Sequence, residues 1–432
     1  MRKRARAVLV LIAALATLGL ANCGHYNCSG GLQFGSSTCS SSSSTSLSSG
    51  NSSSGTASAF VFAVDTGTSS QTTGAINGYT IDTSTSTSGP TTNFTAPTVP
   101  LNDGGVGMVV AQKQFLYVGF ATAQQIYGWT IDSTSGSLTA ISGSPYTASF
   151  LNAFGGQVGQ SVMTTNPAGT LLFISLPLRN EIYVYQIGSG GALTPVSGAP
   201  FAVPFGPVNL AIDGAGKYLY AVNGNFSTHT GTEIAAYSIG STGALTAISG
   251  SPFAYPMWQL QGEPTGKFLI GTTGNSAAPG YSGIDDNHLY VFSISSTGSI
   301  APVSGSPFTT VYSPFSIAVS PETGGNLVYS FSFNDSATAF NAVEGYTISS
   351  SGALAADSGS PFSGLPIDSS GSWGQFDQSG TLLMSYANFT DDTNQEITQI
   401  SPFAVSSGGA LSQSLSSLDL ATPGFWAVTD PQ

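Results

Sequence analysis

Gly243-Ala244-Leu245-Thr246-Ala247-Ile248-Ser249-Gly250-Ser251-Pro252-Phe253 is the stretch that decides the fold, because the chain writes it repeatedly. Versions run from Gly136 to Tyr146, Gly191 to Phe201, Gly298 to Phe308 and Gly352 to Phe362, and a degenerate copy begins Gly409-Ala410-Leu411. The prolines Pro145, Pro200, Pro252, Pro307 and Pro361 are 55, 52, 55 and 54 residues apart. A fixed period of this length marks a repeat architecture in which every unit adds its own slice of core, so 432 residues do not imply several domains.

Each unit also holds two segments of alternating apolar residues, such as Tyr218 to Val222 and Ile234 to Ile239, which read as strands. The first pattern recurs at Phe60, Phe115, Leu171, Phe268, Leu327 and Leu382, and the second at Ile76, Ile126, Ile182, Leu289, Val343 and Ile397. Seven copies predict an all-β, seven-bladed β-propeller with four-stranded blades. One blade is read as Val208 to Ile212, Tyr218 to Val222, Ile234 to Ile239 and Ala244 to Ile248, with turns at Asp213-Gly214-Ala215-Gly216 and Gly240 to Gly243. Phe425 to Asp430 matches a first strand with no successor, and Ala59 to Val64 a second strand with no predecessor. Pairing the C-terminal strand with the N-terminal blade would close the ring and remove exposed sheet edges.

Ahead of the repeats, residues 1–22 read as a signal peptide, with a basic start (Arg2, Lys3, Arg4, Arg6) and an apolar run from Ala7 to Leu20 too short to span a bilayer. The end of that run, Leu20-Ala21-Asn22-Cys23, resembles a lipobox with Cys23 as the lipidated residue; plain cleavage and secretion is the alternative. Residues 23–58 form a Ser, Thr and Gly-rich tether, and 59–432 the propeller. Cys28 and Cys39 lie in the tether, and no Cys follows to staple the propeller.

The formal charge is −13, and removing the four leader cations leaves −17, with only Lys113, Arg179, Lys217 and Lys267 to oppose 21 carboxylates. Such a field repels phosphate backbones, which excludes nucleic-acid binding and leaves a lipid anchor as the route to a membrane. The chain is expected to be a monomer, exported to the cell envelope as a lipoprotein or else secreted or periplasmic.

From Gly206-Pro207-Val208-Asn209 through Asp213-Gly214-Ala215-Gly216-Lys217-Tyr218-Leu219-Tyr220-Ala221-Val222-Asn223 the chain resembles the seven-bladed propeller lactonases, the family of propeller-type 6-phosphogluconolactonase and carboxymuconate cyclase. The Gly-x-Leu-Thr-x-Ile-Ser-Gly-Ser-Pro-Phe motif strengthens that resemblance, which extends over about residues 59–430. It implies a propeller whose members hydrolyse or form lactones. Many members open the first strand with Gly-Pro-Arg-His, where this chain has Gly206, Pro207, Val208 and Asn209. Without that cation, a site for a phosphorylated lactone has little to offset −17.

Two kinds of site follow. Aligning the first strands places Asn209, Trp258, Gln259, Ser316, Trp373 and Trp426 at one axial mouth, where aromatic faces and neutral amides would suit an uncharged saccharide or lactone. The same indoles would serve equally as wedges between blades. For hydrolysis the candidates are His229 and Glu233 in one loop, Asp285 and His288 in another, and Arg179 beside Glu181 in a third. A His or carboxylate would activate water, Arg179 would stabilise the oxyanion, and Asp285 with Asp286 would hold a divalent cation such as Ca²⁺ if any cofactor is used. Asp213, Glu263 and Asp377 are assigned to turns on the opposite face. The preferred reading is a binding or scaffold protein for a neutral glycan or an envelope protein; the alternative is a lactone hydrolase or lactonising isomerase with a rebuilt site.

Overall fold

The computed structural model describes residues 59–429 apart from 66–73, 85, 91–93, 101–104, 122, 155–162, 226–229, 275–285, 322–325, 333–341, 363–372, 391–395, 413–414, 416 and 421–425. Cys23, Cys28, Cys39, His229 and Asp285 lie outside the described residues. The described strands form seven antiparallel sheets, six of them hydrogen-bonded in chain order from the first strand to the fourth and one completed by the C-terminal strand. Among the described residues helix is confined to two 3-10 turns, Ser149–Phe154 and Pro177–Arg179.

Blade 1 combines Ala59–Asp65, Gly74–Asp82 and Thr87–Pro90 with the C-terminal strand Trp426–Thr429, which sets Phe60 opposite Thr429 and Ala63 opposite Trp426. Blade 2 is Gly105–Ala111, Phe115–Phe120, Gln125–Ile131 and Leu138–Ala140. Blade 3 is Met163–Thr165, Leu171–Leu176, Glu181–Ile187 and Leu193–Pro195. Blade 4 is Pro207–Ile212, Tyr218–Asn225, Thr230–Ile239 and Leu245–Ala247. Blade 5 follows with Gln259–Gly262, Phe268–Thr272, His288–Ile294 and Ile300–Pro302. Blade 6 is Pro314–Val319, Leu327–Ser332, Ala342–Ile348 and Leu354–Ala356, and blade 7 is Trp373–Phe376, Leu382–Thr390, Glu396–Val405 and Leu411–Ser412.

The core lies in the seams. One cluster joins Tyr220, Ile234 and Ile248 of blade 4 to Trp258, Leu269 and Phe292 on the blade 5 side, and another joins Leu382 and Ile400 of blade 7 to Val61 and Ile81 of blade 1. A second strand is therefore covered on both faces, and Phe115–Phe120 is buried at every residue. The third strand of the same blade, Gln125–Ile131, alternates because its outer part meets solvent.

The repeated motif proves to be seam chemistry. Its first glycine closes the turn between the third and fourth strands at positive φ, +84° at Gly298 and +80° at Gly409. That glycine also abuts the preceding blade: a Cβ on Gly298 would come 2.6 Å from the Tyr218 ring, and Gly298 O accepts a hydrogen bond from Tyr220 Oη at 3.0 Å. Tyr117 reaches Gly191 O and Tyr329 reaches Gly409 O in the same way. Where a serine precedes the proline, as in every copy but Ala199-Pro200, it supplies an acceptor where the outer strand breaks: Ser251 Oγ accepts from Ala236 N, and Ser306 Oγ from Val291 N. In five blades the chain then returns to the third strand as a short segment, Thr98–Val99, Tyr146–Thr147, Phe201–Ala202, Phe308–Thr309 or Leu418–Leu420, a fifth strand that the four-strand reading does not contain.

Candidate functional site

Most of the residues aligned to the axial mouth are consumed by blade-to-blade contacts. First strands of consecutive blades lie side by side without pairing, and side-chain amides take the place of a backbone ladder. Asn209 Oδ1 accepts from Leu260 N at 3.1 Å, Gln259 Oε1 from Ile317 N at 2.8 Å, and Gln261 Oε1 from Val319 N at 3.0 Å. Ser316 is wholly buried. Trp258 is 1% exposed within the blade 4–5 cluster, so it is corrected from ligand platform to seam wedge; its apolar volume fills the gap between two diverging sheets. Trp373 is half-buried at the head of its first strand, edge-on to Phe315 with ring centroids 5.0 Å apart. Trp426 stands in the strand opposite Ala63, and its side chain lies outside the described ones.

The hydrolytic candidates fare differently. Glu181, Glu233 and His288 occupy one register position, just before the buried Ile182, Ile234 and Leu289 of successive third strands. Arg179 Nε pairs with Glu181 at 2.9 Å on the surface, so its charge is already answered. Glu233 Oε1 accepts from Asn223 Nδ2 at 3.2 Å.

At blade 5 the structure assembles a constellation. His288 Nδ1 lies 2.5 Å from Asp286 Oδ1, while Asp286 Oδ2 accepts from Thr273 Oγ1 at 3.0 Å and from Tyr290 Oη at 2.8 Å. An ionised carboxylate only accepts, so it fixes the proton on Nδ1 and leaves the Nε2 lone pair free. The imidazole is 36% exposed and the carboxylate 11%. Burial, reinforced by the bond to Asp286, pushes the Tyr290 phenol up to about 12, which keeps it a donor at neutral pH. Asp286 thus serves as an orienting group for the imidazole, both its oxygens facing protein donors. Among the described residues no group of three His, Cys, Asp or Glu side chains is placed to hold a metal.

Next to this cluster the connection into blade 6 is fixed in place. Thr310 N donates to Asn287 O, and Val311 N and Tyr312 N donate to the buried carboxylate of Glu344 at 3.0 and 2.9 Å. Tyr346 Oη donates to the same carboxylate. Sequence reading missed Thr273, Tyr290 and Glu344. The signal available for one of them was the spacing Asp286, His288, Tyr290, because alternate residues of an extended chain share a face. The opposite-face turns behave as expected: Asp213 accepts from Lys217 N and Tyr218 N, Glu263 from Lys267 N and Phe268 N, and Asp377 from Leu382 N.

Fold and seams together define a seven-bladed propeller with an acid–base pair at the head of a third strand. The family model described as lactonase, 7-bladed beta-propeller, matches residues 53–258, so that stretch of the chain is similar to this family in sequence as the whole propeller is in fold. No curated protein matches it. Among solved structures it is similar to a candidate 6-phosphogluconolactonase from Bacteroides uniformis, at 15% identity and TM-score 0.58, covering 86% of this chain and 99% of that one. A second candidate 6-phosphogluconolactonase, from Bacteroides fragilis, gives 17% and 0.57 over 86% and 98%. The periplasmic gluconolactonase of Pseudomonas aeruginosa gives 14% and 0.55 over 87% and 100%. At these identities the likeness establishes architecture alone.

Proposed function

We propose that this lactonase-family propeller hydrolyses an uncharged lactone at the cell envelope, with His288 as general base. The observation that carries the reading is the oriented imidazole, held at Nδ1 by Asp286 and 36% exposed. Nε2 takes a proton from water as the water oxygen attacks the lactone carbonyl. When the ring C–O bond breaks, the same nitrogen returns that proton to the departing alkoxide, giving a hydroxy acid. Asp286 stabilises the imidazolium formed in between, and Thr273 and Tyr290 keep its carboxylate aimed.

Charge argues for an uncharged substrate. Arg179 is paired with Glu181, and the positions that carry Arg and His in relatives are Val208, buried in a seam, and Asn209, bound to Leu260 N. Export through the leader and lipidation at Cys23 belong to the same proposal, and a periplasmic gluconolactonase among the structural neighbours is compatible with it. A second reading, a non-catalytic binding propeller for a neutral glycan, is favoured by the half-buried Trp373.

The test is hydrolysis of gluconolactone by the purified protein, measured against its 6-phosphorylated form. His288→Gln should lower kcat by roughly 10²–10⁴-fold, the usual worth of general acid–base catalysis, with little change in KM. Turnover no faster than buffer, or unchanged in His288→Gln, overturns the hydrolase and leaves the binding reading, for which Trp373→Ala should weaken glycan binding.

A further inference from the structure

Five residues after the turn glycine, blades 2 to 5 place an apolar side chain in the seam: Ile141, Val196, Ile248 and Val303, all buried. Blade 6 places Asp357 there, and it too is buried. The equivalent contact in blade 2 shows what the position is for, because Ile141 Cδ1 packs against Gly191 of the next blade, 2.7 Å from where a Cβ on that glycine would sit. In blade 6 the carboxyl Oδ2 fills this role, and a Cβ on Gly409 of blade 7 would come only 2.2 Å from it. Asp357 Oδ1 accepts from Thr347 Oγ1 at 2.6 Å, whereas Oδ2 is buried with no hydrogen-bond partner. The rings of Tyr329 and Phe362 converge with Oδ2 on Gly345, so the orphaned oxygen faces apolar surface and the neighbouring blade.

We propose that Asp357 makes the contact between blades 6 and 7 a pH-sensitive latch, tight while its carboxyl is neutral and loosened when it ionises. An isolated charge in an apolar seam costs far more than a protonated carboxyl, which keeps the Thr347 hydrogen bond and carries no charge. Burial pushes the carboxyl above the usual carboxylate range, against the opposing effect of the Thr347 hydrogen bond.

The surroundings hold no compensating cation among the described residues. From the second strand Tyr329 faces Asp357, and burial keeps that phenol neutral while it donates to Gly409 O. The third strand contributes Gly345 and Thr347, and its Glu344 is engaged elsewhere by Val311 N, Tyr312 N and Tyr346 Oη. Blade 7 offers the turn Ser406-Ser407-Gly408-Gly409-Ala410, which carries no titratable side chain.

The sign follows from the raised carboxyl. Its contribution to the seam is complete below the ordinary carboxylate pKa and disappears as pH rises through the higher folded value. Acid therefore closes the latch and neutrality relaxes it, the reverse of an ion-paired carboxylate.

Hydrogen exchange on the full chain reads this locally, because Gly409 N is bonded to Ser406 O at 2.9 Å and Ala410 N to Ser406 Oγ at 3.0 Å. After correction for intrinsic exchange, protection of this turn should be lost progressively between pH 4 and pH 7. The corresponding turn at Gly191, backed by Ile141, should not change. Asp357→Asn keeps the shape without the charge, and Asp357→Val restores the residue of blade 3; both should abolish the pH dependence. Asp213, also raised by burial, is common to all three proteins and cancels. An unchanged pH response in Asp357→Asn, or no response in the wild-type protein, overturns the latch.

Discussion

Replacing Gly298 by Ala tests whether the repeated motif is a blade-to-blade contact or only a turn. Gly298 and Gly305 sit at φ +84° and +88° in blade 5, so the cost of forcing a side chain into the left-handed region, about 1–2 kcal/mol, is common to both substitutions. The change in unfolded-chain entropy is also common. They differ in what the new methyl meets. At Gly305 the nearest atom is Phe308 Cε1 at 3.4 Å, whereas at Gly298 it is Ile248 Cδ1 at 2.3 Å and Tyr218 Cδ1 at 2.6 Å, both on blade 4. Overpacking of this kind costs typically about 1–3 kcal/mol, because a packed seam yields only by moving a blade. Gly305→Ala should therefore lose about 1–2 kcal/mol and Gly298→Ala about 2–5 kcal/mol by urea denaturation. Ile248→Val removes the closer of the two obstructing atoms, so in a double-mutant cycle it should offset part of the Gly298→Ala loss. Equal losses at 298 and 305, or additive behaviour with Ile248→Val, would refute the seam assignment.

Trp258→Ala should cost about 3–5 kcal/mol, as truncating a buried indole does, while Trp373→Ala should cost clearly less because its ring is only half-buried; denaturant midpoints of the two variants decide. Lipidation of Cys23 should give an envelope-derived protein whose N-terminal peptide begins at that cysteine and carries the mass of acyl chains, and an unmodified N-terminus downstream of it would replace the anchored form with a secreted one.

Much of the site escaped the sequence for a geometric reason. Alignment placed Trp258, Gln259 and Asn209 correctly along their strands, but whether a side chain meets ligand or the next blade depends on how closely neighbouring sheets approach. Asp286, His288 and Tyr290 were legible as a set through their spacing of two. Thr273, which completes the carboxylate's partners, comes from the neighbouring second-strand segment across the blade, and nothing in its own surroundings marks it.

The repeat alone determined the architecture, because a hydrophobic pattern with a period of about 54 residues can bury itself only by stacking like units. Composition alone set the expectation that polyanionic partners are repelled, since charge is additive and needs no geometry. Tertiary structure alone decided which polar residues are spent on the seams and which remain for chemistry. Hydrogen bonds and burial join residues far apart in the chain, as Asp357 and Gly409 are, and such pairings depend on the distance between blades, which no local pattern encodes.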